Sequence, residues 1–174
     1  MRGCEEKMIN EMFLNLLMPI LSKGFPFLPK KLYSESKFKE QIDIDVQSSN
    51  PIKISLNGKI PTISIYLKIT NRSPYLDVKL DRAVFSVWVR GDSGTFPLID
   101  TFWVLSPKHI KRSESEEIFC QKDLNKFQFD LVKEIKDSKE VTTDLSSFKF
   151  WFDSSLYHSM LIETSLKNKP CKVD

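Results

Sequence analysis

Between residues 62 and 166, hydrophobic and polar side chains alternate in short runs, and a helical period interrupts them once. Ile63, Ile65, Leu67 and Ile69 alternate with Thr62, Ser64, Tyr66, Lys68 and Thr70. This is the two-residue period of a strand with one buried face. Ile42, Ile44 and Val46 alternate in the same way with Asp43 and Asp45, and Ile52, Ile54 and Leu56 do so before an Asn57-Gly58 turn. Leu76, Val78 and Leu80 alternate with Asp77, Lys79 and Asp81. Over 84–89, Phe85 and Val87 take one face and Val84, Ser86 and Trp88 the other. Gly91-Asp92-Ser93-Gly94 predicts a hairpin turn. Residues 96–105 continue as a strand until Ser106-Pro107, and Pro97 implies an edge or strand-entry position. One strand, polar in its first half, is expected over 110–120. Its Glu114, Glu116 and Glu117 suit a sheet edge, where charge discourages pairing with another chain. Phe148, Phe150 and Phe152 alternate with Lys149, Trp151 and Asp153, and a last strand is expected over 157–166.

Two segments change period. Leu124, Phe127, Gln128, Leu131, Val132 and Ile135 share one helical face, with Asp123 as the expected N-cap. Phe127, Phe129 and Leu131 also alternate, so a strand start competes, but the run through Val132 and Ile135 favours a helix. Near the N-terminus, Met8, Ile9, Met12, Phe13, Leu16, Leu17 and Ile20 recur at helical spacing over 5–22, with Pro19 and Gly24 as stops. The compact apolar part is about ten residues, against about 20 for a membrane span. Glu5 and Glu6 spoil the basic start of a secretory signal, and no A-x-A-like site follows. Residues 23–40, with Gly24, Pro26, Pro29 and several lysines, read as a linker.

These elements predict a mainly β chain: an immunoglobulin-like antiparallel β-sandwich with one late helix and an N-terminal helical appendage. The expected units are an amphipathic helix and basic linker at 1–40, the sandwich at 41–166 and a polar tail at 167–174. The order of elements from Gln41 to Leu166 resembles the water-stress and late-embryogenesis (LEA14-like) β-sandwich family. Three features carry the resemblance. They are the long strand ending in Asn71-Arg72-Ser73-Pro74, the strand 80–89 that follows at once, and the late helix with two strands after it. The family usually has Asn-Pro-Asn at that turn; here the proline falls at Pro74. The resemblance implies an immunoglobulin-like sandwich with no catalytic site.

Composition narrows the function classes. A chain of 174 residues with 41% hydrophobic and 28% charged residues is of globular type, and needs no metal or disulfide to fold. The net charge of +3 is concentrated at 23–39, where Lys23, Lys30, Lys31, Lys37 and Lys39 face Glu35 alone. A local basic segment argues against a broad nucleic-acid-binding face. Cys4, Cys120 and Cys171 match neither zinc nor redox spacing and read as free thiols, with Cys4–Cys171 or Cys120–Cys171 pairing left open.

No motif carries catalytic, nucleotide or metal chemistry. His109 and His158 lack sequence partners for hydrolysis. Asp43 with Asp45, and Asp77 with Asp81, supply too few oxygens for Ca²⁺ and read as solvated strand faces. Trp88, Trp103 and Trp151 could stack bases, but no basic cluster accompanies them, so core packing is expected. Asn71-Arg72-Ser73 formally matches a glycosylation acceptor and is discounted without a signal peptide. No cofactor is called for.

The N-terminal helix is the main functional candidate. Its stripe could dock on the sandwich, lie on an anionic membrane surface beside the following lysines, or contact a protein partner or second copy. The candidate contact residues are Met8, Met12, Phe13, Leu16, Leu17, Ile20, Lys23, Lys30 and Lys31. The expected function is a non-enzymatic interaction module in the cytoplasm, tethered by this helix at the membrane surface. The alternative is a carrier of an apolar ligand in the aromatic-rich core.

Overall fold

A computed structural model describes residues 34–174 except Pro51 and Ser106. The chain runs α1 (Glu35–Lys39), β1 (Ile42–Val46), β2 (Ile52–Ser55), β3 (Thr62–Asn71), β4 (Val78–Gly91), β5 (Gly94–Val104), β6 (Lys108–Ile110), β7 (Glu114–Asp123), α2 (Lys126–Ile135), β8 (Thr142–Ser154) and β9 (Met160–Val173). The chain is mainly β, and its strands form a sandwich.

One layer is built on β3. It pairs with β7 along its whole length and, on its other edge, with β1 and β2 lying end to end. The second layer has the order β5-β4-β8-β9, with β6 continuing the β5 edge of β4. All these pairings are antiparallel. The exception joins the layers: Ile52, Lys53 and Ile54 of β2 pair in parallel with Cys171, Lys172 and Val173 of β9. β9 therefore starts in one layer, beside β8, and ends in the other. One parallel ladder thus joins two otherwise antiparallel layers.

Alternation decides which side chains meet between the layers. Ile63, Ile65, Leu67 and Ile69 of β3 face Phe85, Val87, Phe148, Phe150 and Phe152, all buried in a single core. The rings form a chain, Phe102 stacked on Phe85 at 4.9 Å, Phe85 on Phe148 at 4.3 Å, and Phe148 tilted against Phe150 at 5.1 Å. Such ring pairs add to the burial of their large apolar area.

The two helices close opposite ends. α1 is capped by Ser34, whose hydroxyl accepts from Lys37 N, and it sinks Phe38 fully into the core against Tyr157. The domain thus begins before residue 41, and residues 35–39 are not linker. α2 has Asn125, not Asp123, as its N-cap. Asn125 and Gln128 exchange bonds with each other's backbone N–H, the reciprocal arrangement that satisfies two orphan donors. Gln128 Nε2 also donates to Leu98 O at 2.6 Å. Val132 and Ile135 are buried, whereas Phe127, expected on the same face, is 71% exposed. Moving the cap two residues on leaves Leu124 ahead of the helix, and it is buried there, its N–H donating to Pro61 O.

The β4–β5 hairpin turns on Asp92-Ser93, and Gly94 has φ +137. A Cβ on Gly91 would lie 2.5 Å from Ser138 Oγ and 2.9 Å from Ile135 Cβ, so glycine lets the hairpin reach the end of α2. Pro97 lies on the edge strand β5, as its missing donor requires.

Three other expectations are corrected. The strand expected over 110–120 is two, β6 in one layer and β7 in the other. The crossing at residues 111–113 passes through Ser113 at φ 58. Residues 167–174 are not a tail: β9 runs to Val173, Asp174 N–H donates to Ile54 O of β2, and Asp174 O accepts from Leu56 N–H. Trp88 and Trp103 are 38% and 54% exposed and Trp151 is half-buried, so none is a core residue. Each has the parity of the outward positions on its strand.

Candidate functional site

Met8, Met12, Phe13, Leu16, Leu17, Ile20, Lys23, Lys30 and Lys31 lie outside the described residues. The described chain enters at the α1 end of the sandwich, where Phe38 meets Tyr157 in the turn between β8 and β9.

The same end carries a surface that the sequence reading assigned to the core. Strand register lays two rows across the outer face of the second layer. Trp103, Val84, Lys149 and Glu163 form one, and Arg82, Trp151 and Leu161 the other. Arg82 stacks its guanidinium 4.9 Å from the Trp151 ring centre, and Lys149 pairs with Glu163 at 3.3 Å. Leu105, just past the end of β5, is 72% exposed. Stacking on an aromatic face holds a guanidinium in place while its edge still faces outward. Exposed Trp and Arg side chains beside partly exposed apolar ones are enriched at protein contact sites. The signal in the sequence was the parity of Trp151 against Phe150 and of Trp103 against Phe102.

At the opposite end a trough runs between the β2–β3 loop and α2. Two adjoining cavities of about 380 and 260 Å³ share Leu56 and Phe129. Pro61, Leu124 and Val173 add to the apolar floor, and Lys59, Lys126, Lys133, Lys136 and Asp137 stand around it. Lys133 Nζ lies 5.5 Å from the Phe129 ring centre. At the rim, Asp174 is bonded to Lys53 at 2.5 Å, which holds its carboxyl below the usual range.

The polar candidates find structural partners. Asp43 pairs with Arg72 at 2.6 Å and Asp45 with Lys169 at 2.5 Å. Asp77 accepts from the Arg112 backbone at 2.9 Å, and Asp81 lies 3.9 Å from Arg82. Among the described residues, no group of three His, Cys, Asp or Glu side chains could hold a metal ion. His109 is exposed on β6, and His158, 84% exposed, is 3.9 Å from Asp153. Cys120 and Cys171 are free thiols, and burial pushes each up to about 12, far from a reactive thiolate.

Asn71 is fully buried at the end of β3. Its Nδ2 donates to Leu76 O at 2.7 Å and to Ile110 O at 3.4 Å, and its Oδ1 accepts from Ser73 N at 3.1 Å. The amide nitrogen that a glycan would need is committed inside the fold. The asparagine that marked the turn in the sequence is a structural fastener.

No family model matches the chain, and no curated protein matches it. Among solved structures it is similar to a protein provisionally assigned as late embryogenesis abundant (LEA). That match has 13% identity, a TM-score of 0.48, and covers 93% of this chain and 86% of the other. It is also similar to a protein from Archaeoglobus fulgidus, with 9% identity, a TM-score of 0.36, and 72% and 94% covered. A provisionally assigned ApaA protein from Bordetella pertussis gives 7% identity, a TM-score of 0.42, and 75% and 93% covered. Likenesses this distant carry nothing about function. Among the described residues, no helix is long and apolar enough to cross a membrane.

Proposed function

We propose that this chain is a non-enzymatic interaction module, held at an anionic membrane surface by its N-terminal segment. The sandwich offers the aromatic face around Trp103, Val84, Arg82 and Trp151 to a protein partner. The observation that supports this reading is the exposure of Trp103 and Leu105 beside the stacked Arg82–Trp151 pair. The partner's matching surface is apolar at its centre, with a carboxylate for the outward edge of Arg82. Met8, Met12, Phe13, Leu16, Leu17 and Ile20 provide apolar burial in the membrane interface, and Lys23, Lys30 and Lys31 add attraction to anionic lipid. The segment joins the sandwich at the end that carries the aromatic face, so the tether would keep that face near the membrane. The carrier reading is not favoured: the core phenylalanines stack on one another, and a ligand among them would have to displace a ring.

Flotation with phosphatidylserine-containing vesicles tests the tether. The full chain should float and a chain beginning at Ser34 should not, and added salt should weaken the binding. Equal behaviour of the two chains would sink the tether. Proximity cross-linking in cells, comparing wild type with Trp103→Glu, tests the face; an unchanged set of cross-linked partners would sink it.

A further inference from the structure

We propose that the trough beside α2 is a second binding site, one that takes an acidic, amphipathic stretch of polypeptide in extended form. None of its lining residues belongs to the aromatic face. Three observations converge on this occupant.

The first is how α2 sorts its charges. Lys126, Phe129, Lys133 and Lys136 follow one another at helical spacing and line the trough. The acidic residues Asp130 and Glu134 fall on a different stripe and line neither cavity; Asp137, just past the helix, lines the second. Second, Lys59 stands over the trough from the β2–β3 loop. Among the described residues, none of these four lysines is ion-paired. Four lysines stand against Asp137 and an Asp174 already bonded to Lys53, so the rim stays positive, and a positive rim on an apolar floor is complementary to a ligand with carboxylates flanking apolar side chains.

The third observation is shape. Lys126 to Lys136 spans about 15 Å along the helix, or roughly five residues of extended chain. In an extended segment, alternate side chains point to opposite sides. One set can fill the Leu56–Phe129 floor while the other meets the lysines.

The test uses the full chain and a fluorescein-labelled peptide of about seven residues in which Glu and Leu alternate. Its control is the same peptide with Lys in place of Glu. Fluorescence anisotropy should show saturable binding of the acidic peptide, weakened by added salt, and no binding of the basic one. Lys126→Glu with Lys133→Glu should weaken binding about tenfold or more, because each reversal turns an attraction into a repulsion. These are surface positions, and an unchanged melting temperature would show that the variant is folded. Phe129→Ser should weaken binding without changing its salt dependence. Equal binding of the two peptides, or of wild type and the double reversal, would overturn the proposal. If the reversal releases anionic vesicles while the acidic peptide fails to bind wild type, the trough is a lipid contact and the proposal is also overturned.

Discussion

Replacing Asn71 separates a structural fastener from a mere turn former. Its side chain bonds Leu76 O at 2.7 Å and receives Ser73 N at 3.1 Å, with no exposure to water. Asn71→Ala removes these bonds and the weaker one to Ile110 O at 3.4 Å, and leaves buried groups unsatisfied, at about 1–3 kcal/mol each. A total of about 3 kcal/mol follows, or roughly 10 °C in Tm for a domain of this size. Asn71→Asp is more discriminating. A carboxylate there would face Leu76 O and Ile110 O, both acceptors. A protonated carboxyl can instead donate to Leu76 O. The folded state therefore raises the pKa of the new group above its unfolded value near 4. With the folded pKa raised, the protonated form stabilises the fold below about pH 4, and that stability is lost as pH rises through the folded pKa. Urea denaturation of Asn71→Asp between about pH 4 and 7 should show stability, relative to wild type, rising as pH falls. A variant whose deficit stays constant across that range would refute the buried-donor argument.

Phe38→Ala should cost about 3–5 kcal/mol by urea denaturation, and a chain begun at Gln41 should be less stable than one begun at Ser34. Phe150→Ala should fall in the same range, whereas Lys149→Ala on the outer face should change stability by roughly 0.5 kcal/mol or less. Equal losses would mean the register of β8 is wrong. Iodoacetamide at pH 8 should leave Cys120 unmodified in the native protein and alkylate it in denaturant, read by peptide mass mapping. Native modification would contradict a thiol pushed up to about 12 by burial.

Periodicity exposed most of the fold, because alternation is a direct consequence of one buried face. The strand faces at Ile63–Ile69 and Phe148–Phe152 were legible for that reason. The β6–β7 crossing was hidden because it turns on Ser113, with neither Gly nor Pro to mark it. Phe38 was hidden among lysines, and a helix as short as α1 shows too little period. The end of β9 was hidden because only Cys171 and Val173 interrupt its polar run. For the tryptophans, parity pointed outward while aromatic character suggested the core, and parity prevailed. The trough could not be seen at all: its walls come from β2–β3 and α2, some seventy residues apart, and only folding brings them together.

The crossing of β9 from one layer to the other has a consequence for synthesis. A chain made from its N-terminus meets β9 after every strand it must join, since β8 pairs with its first part and β2 with its last. Until it emerges, β8 has an open edge and the two layers lack the strand that links them. The sandwich therefore resembles a clasp whose tongue is delivered last, and a nascent chain stalled before Met160 would offer the β8 edge to any strand nearby.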